Sequence, residues 1–178
     1  MHAPRSLQFI LLSSFLLVSL LVAPVMAAES QQARLDKSLQ AWQLAKKKCG
    51  GNYSYKVRWQ SFVGFGHETI VVVKGNKVVE RRYHEFSARP VKKALPMWVE
   101  KGKDVGSHKK GTGAKTLDQL YQEADAVVKR KLPPHERRAV RVNEQGLLLA
   151  CYCRDTRIAD DVPLKGVSIT SIELGTAK

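Results

Sequence analysis

Thr69-Ile70-Val71-Val72-Val73-Lys74-Gly75-Asn76-Lys77-Val78-Val79 is a β-rich run, a two-residue turn and a returning run. Gly75 and Asn76 tolerate positive φ, which the tightest hairpin turns demand, so the stretch predicts two antiparallel strands joined through 74–77. Working backwards, Tyr53, Tyr55, Val57 and Trp59 alternate with Ser54, Lys56, Arg58 and Gln60. That is the two-residue period of a half-buried strand. Val63-Gly64-Phe65-Gly66-His67 makes a flexible connection between it and the run at 69–73. Working forwards, 78–86 is a third strand, with Arg81, Tyr83 and Glu85 on one side and Glu80, Arg82 and His84 on the other.

Helices flank this meander. Leu35, Leu39, Trp42, Ala45 and Cys49 fall on one helical stripe across 29–49, and lysines crowd the last turn, where they complement the carbonyl end of the dipole. Gly50-Gly51 stops it. Thr116, with Gln119 three residues later, reads as a capping box opening a second helix. Its apolar stripe is Leu117, Leu120, Tyr121, Ala124, Val127 and Val128, and Pro133-Pro134 forbids continuation. A hairpin of 139–143 and 147–154 turns around Glu144-Gln145-Gly146, and 167–174 is a final strand. The order is helix, three strands, helix, three strands. This predicts an α+β fold, an antiparallel sheet with two helices on one face.

Between the two halves lies a segment of another kind. Residues 87–115 hold eight Lys or Arg against Glu100 and Asp104 alone, with two prolines and a glycine-rich run at 106–113. It reads as a long basic flexible loop, a length usually functional or disordered. Pro96-Met97-Trp98-Val99 is a patch that would pin its middle to the body. No phosphate-cradling Gly-x4-Gly-Lys-Ser/Thr string occurs.

The N-terminus decides the compartment. Met1 to Arg5 is a short basic start, 7–25 is uncharged and apolar, and Val25-Met26-Ala27-Ala28 supplies the small-x-small site of a signal peptidase. Residues 1–27 are therefore expected to be a signal peptide and 28–178 a single exported domain, periplasmic or secreted. An uncleaved anchor is the alternative, weakened by Ser13, Ser14, Ser19 and Pro24. No second apolar span follows, so no transmembrane segment is expected after cleavage. The chain carries a formal charge of +14, to which the signal contributes only Arg5. Such a field attracts acidic partners, although high charge also serves solubility. Export makes intracellular nucleic acid a poor partner.

Cys49, Cys151 and Cys153 are the only cysteines. A disulfide is the default in an exported chain. Cys151 and Cys153 lie too far apart along one strand for a relaxed mutual bridge. Cys49 on the buried helical stripe, joined to one of them, would close a loop worth about 4–5 kcal/mol in the chain-entropy model. Three reduced, buried thiols are the competing reading. Cys-x-Cys with His67 or His84 is a weak pattern for a soft metal, and no metal or other cofactor is expected. Asp155, Arg157, Asp160 and Asp161 form the densest polar cluster outside the basic loop. Paired carboxylates there suit acid–base work, but a structured turn with Asp on backbone amides is the simpler reading. No nucleophile motif is present.

Tyr53-x-Tyr55 with Val57, then Val71-Val72-Val73, Gly75 and Val78, then Thr116-Leu117-Asp118-Gln119-Leu120-Tyr121, resembles a family of exported bacterial proteins of unknown function. Their pattern continues with a turn glycine like Gly146 and an aspartate-rich tail like Arg154-Asp155-Thr156-Arg157-Ile158-Ala159-Asp160-Asp161-x-Pro163. The resemblance covers most of the mature chain, departs from it at 87–115, and implies export and fold without adding catalytic residues. The reading is then a non-catalytic exported module for an acidic polymer, an anionic lipid surface or an acidic protein, using Lys92, Lys93, Lys101, Lys103, Lys109 and Lys110. The alternatives are an envelope enzyme or metal-binding protein built on 155–161 or on Cys151 and Cys153, and a protein inhibitor using the sheet face. Intact-mass measurement of the exported protein is expected to place its first residue near Ala28; a retained apolar segment in a membrane fraction would overturn the signal assignment.

Overall fold

The computed structural model describes residues 29–87, 96–158 and 165–176. The expected signal segment 1–27, Lys92, Lys93, Asp160 and Asp161 lie outside the described residues. The central hairpin forms as its turn chemistry requires. β2 (Gly66–Lys74) and β3 (Lys77–Phe86) are joined by Gly75 and Asn76 at φ 54° and 64°. Asn52 Oδ1 accepts from the Gly75 amide at 3.0 Å, and the Gly51 carbonyl accepts from Asn76 at 3.1 Å, so the turn is tied to the chain entering β1. β1 (Tyr53–Gln60) pairs antiparallel with β2, Tyr55 opposite Val71.

α1 (Gln31–Lys48) is capped by Ser30, whose side chain accepts from the Ala33 amide, and ends at Gly50 and Gly51, both left-handed. α2 (Leu117–Lys129) carries the expected capping box between Thr116 and Gln119. It buries Leu117, Leu120, Tyr121, Ala124 and Val128. The Tyr121 hydroxyl donates to the Ser38 carbonyl at 3.0 Å and accepts from the Leu148 amide at 3.0 Å, joining both helices to the second sheet. Trp42 is wholly buried, edge-on to Tyr53 at 4.9 Å, and donates from Nε1 to Asp118.

The fold class is α+β with helices and strands in the expected order. Two details differ. A short strand, β4 (Trp98–Lys101), emerges from the basic segment and pairs with β3, giving a sheet ordered β4-β3-β2-β1-β8, with β8 at Ser171–Leu174. β5 (Glu136–Val142), β6 (Leu148–Asp155) and β7 (Lys165–Ser168) form a second sheet. The single final strand expected at 167–174 is divided into β7 and β8 (Ser171–Leu174). Ile169 donates to Leu149 of β6 at 2.6 Å, and the next residue, Thr170, donates to Lys56 of β1 at 2.7 Å. Successive amides thus serve opposite sheets. The strict alternation breaks there: Val167 and Ile169 face the core, and Ile172 takes over beyond the switch.

A single apolar cluster unites these parts, drawing Tyr53, Tyr55, Val71 and Val73 from one sheet and Val140, Leu148, Cys151 and Val167 from the other around the two helices.

The expected disulfide is not formed. Cys49, Cys151 and Cys153 are all free and buried, with no pair at bonding distance. Cys49 closes α1 and its Sγ turns back to the Lys46 carbonyl at 3.6 Å, whereas Cys151 Sγ meets the Ala124 carbonyl of α2 at 3.4 Å. Each sulfur is thus engaged by a different helix. Burial pushes the Cys151 thiol up to about 11, so it stays protonated and unreactive at neutral pH. Thiol titration under denaturing, non-reducing conditions is expected to give three free groups per chain; a count of one would restore the bridge.

Candidate functional site

The β4-β3-β2-β1-β8 sheet has one face directed at the core, but the helices reach only part of it. Tyr53, Tyr55, Val71 and Val73 meet them. Further along, toward Gln60, Gly66 and Phe86, the same face carries Trp59, His67, Thr69, Tyr83 and Trp98, brought side by side by strand register. Here the cover is the chain itself. Residues 105–115, following a 3₁₀ turn at Gly102–Asp104, lie over this half as a strap.

One carboxylate holds the strap. Glu100 receives two bonds from Arg81, Nε and Nη2 each at 2.7 Å, with both side chains buried to 2% exposure or less. It also accepts from the Gly106 amide at 2.6 Å, the His108 amide at 2.5 Å and the Ser107 hydroxyl at 3.1 Å. Arg81 in turn donates to the His108 and Thr112 carbonyls at 2.9 and 2.6 Å. Thr69 Oγ1 accepts from the Thr112 amide at 3.0 Å. Gly111, at φ 80°, passes so close to Thr69 and Tyr83 that a Cβ there would lie 2.6 Å from the Thr69 hydroxyl. Arg81 first, then the two strap amides, hold the Glu100 carboxyl well below the ordinary carboxylate range despite its burial. The described part of the expected flexible loop, 96–115, is therefore bonded to the sheet at several points.

Beneath and beside the strap runs a ladder of rings, one from each of β1 to β4 and one from the strap. His108 stacks on Trp98 at 4.5 Å, Trp98 on Tyr83 at 5.3 Å, Tyr83 lies 5.7 Å from His67, and His67 stacks under Trp59 at 5.7 Å. Phe65 meets Trp59 edge-on at 5.8 Å. Tyr83 donates its hydroxyl to Glu85 at 2.9 Å, and Lys110 approaches the same oxygen at 3.3 Å. Desolvation, with the Glu85 contact, pushes the Tyr83 phenol up to about 12, so it is a donor and not a nucleophile. His67 Nδ1 and Trp98 Nε1 are buried without a hydrogen-bond partner.

The expected lysines divide between the two faces. Lys103, Lys109 and Lys110 are exposed on the 3₁₀ turn and strap. Lys101 lies on the other face of the sheet, where Glu80 is 3.7 Å away. That other face centres on Glu68, nearly buried among Lys56 at 3.4 Å, His84 at 3.6 Å and Arg58 at 4.0 Å. Of the expected acidic cluster, Asp155 and Arg157 are among the described residues. Asp155 accepts from the Arg157 amide and guanidinium at 2.7–3.0 Å, and His135 stands 3.5 Å away. Arg157 is the main reason that the Asp155 carboxyl lies well below its ordinary range. This is the geometry of a stapled turn, with the carboxylate already saturated. Among the described residues no three His, Cys, Asp or Glu gather at metal-binding distance.

Sequence reasoning missed the ladder and the role of Glu100. Trp59, His67, Tyr83 and Trp98 lie on four strands and become neighbours only through register. The available signal was weak: Glu100, two residues after Trp98, is one of two acids in a segment otherwise rich in cations. Comparison of the chain with protein-family models, with curated proteins and with solved structures finds no match.

Glu100→Gln removes one partner of a buried pair and leaves the Arg81 charge unmatched, which is expected to cost about 3–5 kcal/mol in urea unfolding. The pH dependence follows from the lowered carboxyl. Unfolded Glu100 takes up a proton as pH falls below its ordinary 4.5 while the folded form resists, so wild-type stability is lost progressively in acid. The variant should show a shallower acid limb between neutral pH and about pH 3. An unchanged midpoint at neutral pH would remove the strap latch from the account.

Proposed function

We propose that this chain is an exported, non-catalytic binding module that recognises an acidic partner. The observation that carries this reading is the strap. A segment rich in cations is bonded to a buried ion pair beneath it, so Lys109 and Lys110 are displayed from a fixed backbone instead of a loose coil. Fixed charges lose less conformational entropy on binding than charges on a disordered loop. The formal +14 supplies the longer-range attraction. The strongly shifted groups point the same way. Tyr83, Cys151 and Asp155 are each held in the protonation state that makes them poor acid–base or nucleophilic catalysts. Export rests on the basic, apolar and small-residue pattern at 1–28, and the resemblance to exported bacterial proteins agrees with it.

Salt dependence on an immobilised polyanion tests this. The wild type should be retained on heparin and eluted as salt screens exposed charges. Replacing Lys101, Lys103, Lys109 and Lys110 together by Gln is expected to shift elution to markedly lower salt. Stability should change by less than about 0.5 kcal/mol per site, because these are surface charges. Equal retention of both proteins at every salt concentration would sink the role of these lysines.

A further inference from the structure

The loop joining β1 to β2 is the most apolar exposed feature of the described surface. Phe62 is 88% exposed, Val63 53%, Phe65 51%, and Trp59 at its base 37%. Isolated exposed apolar residues need no explanation, but four within seven positions at one hairpin end form a patch. It is the end of a β-hairpin, a shape suited to insertion. It is also internally braced. The Phe65 carbonyl accepts from both the Ser61 amide at 2.9 Å and the Ser61 hydroxyl at 3.0 Å, and the Ser61 carbonyl accepts from the Gly64 amide at 3.0 Å. Gly64 is left-handed at φ 88°. At Gly66 a Cβ would fall 2.2 Å from the Trp59 carbonyl and 2.7 Å from the Phe86 ring, so the two strands close tightly behind the tip. Backbone groups bonded within the tip lower the cost of moving it out of water.

Cations flank this tip on both faces of the sheet. Arg58 lies over the Phe86 ring at 4.1 Å and donates to Gln60 at 2.9 Å, on one face. Lys110 stands on the other, above Glu85, whose strand position is opposite His67. An apolar wedge with an aromatic base and cations behind it matches a surface that is apolar inside and anionic outside. Aromatic rings favour the membrane–water interface, and Lys or Arg near the surface are drawn to anionic headgroups.

We propose that the β1–β2 tip inserts into the interface of an anionic lipid bilayer, making such a bilayer the acidic partner. This rests on the binding-module reading above and narrows it. A soluble polyanion would satisfy the lysines but would leave Phe62 and Val63 in water.

Three binding arms separate the possibilities: mixed phosphatidylcholine–phosphatidylglycerol vesicles, pure phosphatidylcholine vesicles, and heparin. The variants are F62S/V63S and the four-lysine replacement, and size exclusion reports their oligomeric state. The wild type is expected to prefer the anionic vesicles. F62S/V63S should bind them at least about tenfold more weakly, because each exposed side chain loses most of its apolar burial. Its heparin retention should be unchanged. Trp59 emission should shift to the blue on adding anionic vesicles and be quenched by lipids brominated on their acyl chains, and W59F should lose that response. Unchanged vesicle binding by F62S/V63S overturns the insertion and leaves the module reading intact. The same holds for a wild type retained by heparin through its lysines but indifferent to vesicles. A wild-type dimer that F62S/V63S turns into a monomer overturns it too, by assigning the patch to a second copy of the chain. Indifference of the four-lysine variant in both the vesicle and heparin arms overturns the module reading itself.

Discussion

The buried pair of Arg81 and Glu100 is the constraint on which the cover of the sheet depends. An ion pair removed from water costs desolvation, and it holds only when every oxygen and most N–H groups are met. Here the carboxylate is met by Arg81, two amides, a hydroxyl and His108, while Arg81 reaches two strap carbonyls. The pair therefore does more than join β3 to β4. It draws in the backbone that follows and turns a glycine-rich, cation-rich segment into the cover of half a sheet face.

That cover completes what two helices cannot. α1 and α2 pack chiefly on the β5-β6-β7 sheet and reach the larger sheet through Trp42, Tyr53 and the start of α2, where the Leu117 amide donates to the Tyr53 hydroxyl at 2.8 Å. Tyr55 donates to the Lys115 carbonyl at 2.7 Å, at the point where strap becomes helix. The strap thus has anchors at both ends, the ion pair at one and tyrosines at the other. Between them the rings of Trp98, Tyr83, His67 and Trp59 form a continuous row across four strands. Offset-stacked and edge-on ring pairs add about 0.5–1.5 kcal/mol each beyond their area burial, and the Trp59–Phe65 contact extends the ladder to the hairpin end.

The cysteines are directed inward, and exposed lysines lie on the strap. The Cys49 and Cys151 thiols are buried against helix carbonyls, and Asp155 is spent on its own turn. Among the residues left to solvent are lysines on a braced strap and aromatic side chains on a braced tip. Both features lie on the half of the sheet that the helices leave uncovered, which is why the binding reading and its membrane form share one surface.

Much of the fold was legible because it is written in short-range pattern. The alternation of Tyr53 to Gln60, the Gly75-Asn76 turn, the stripe from Leu35 to Trp42 and the Thr116–Gln119 box each involve residues a few positions apart, and each formed as read. What the sequence could not show depends on distant partners. Arg81 and Glu100 are 19 residues apart and looked like one strand cation and one loop acid. The cysteines shared buried faces, yet the packing turned Cys49 and Cys151 toward different helices. The last strand alternated acceptably on either face until Ile169 and Thr170 found hydrogen-bond partners in different sheets. The sequence by itself determined which local elements form, because capping, turn and period energies act between near neighbours. Only the tertiary structure decided which rings stack, which carboxylate is buried and which apolar residues stay in water, because strand register and desolvation act between residues that meet only once the chain has folded.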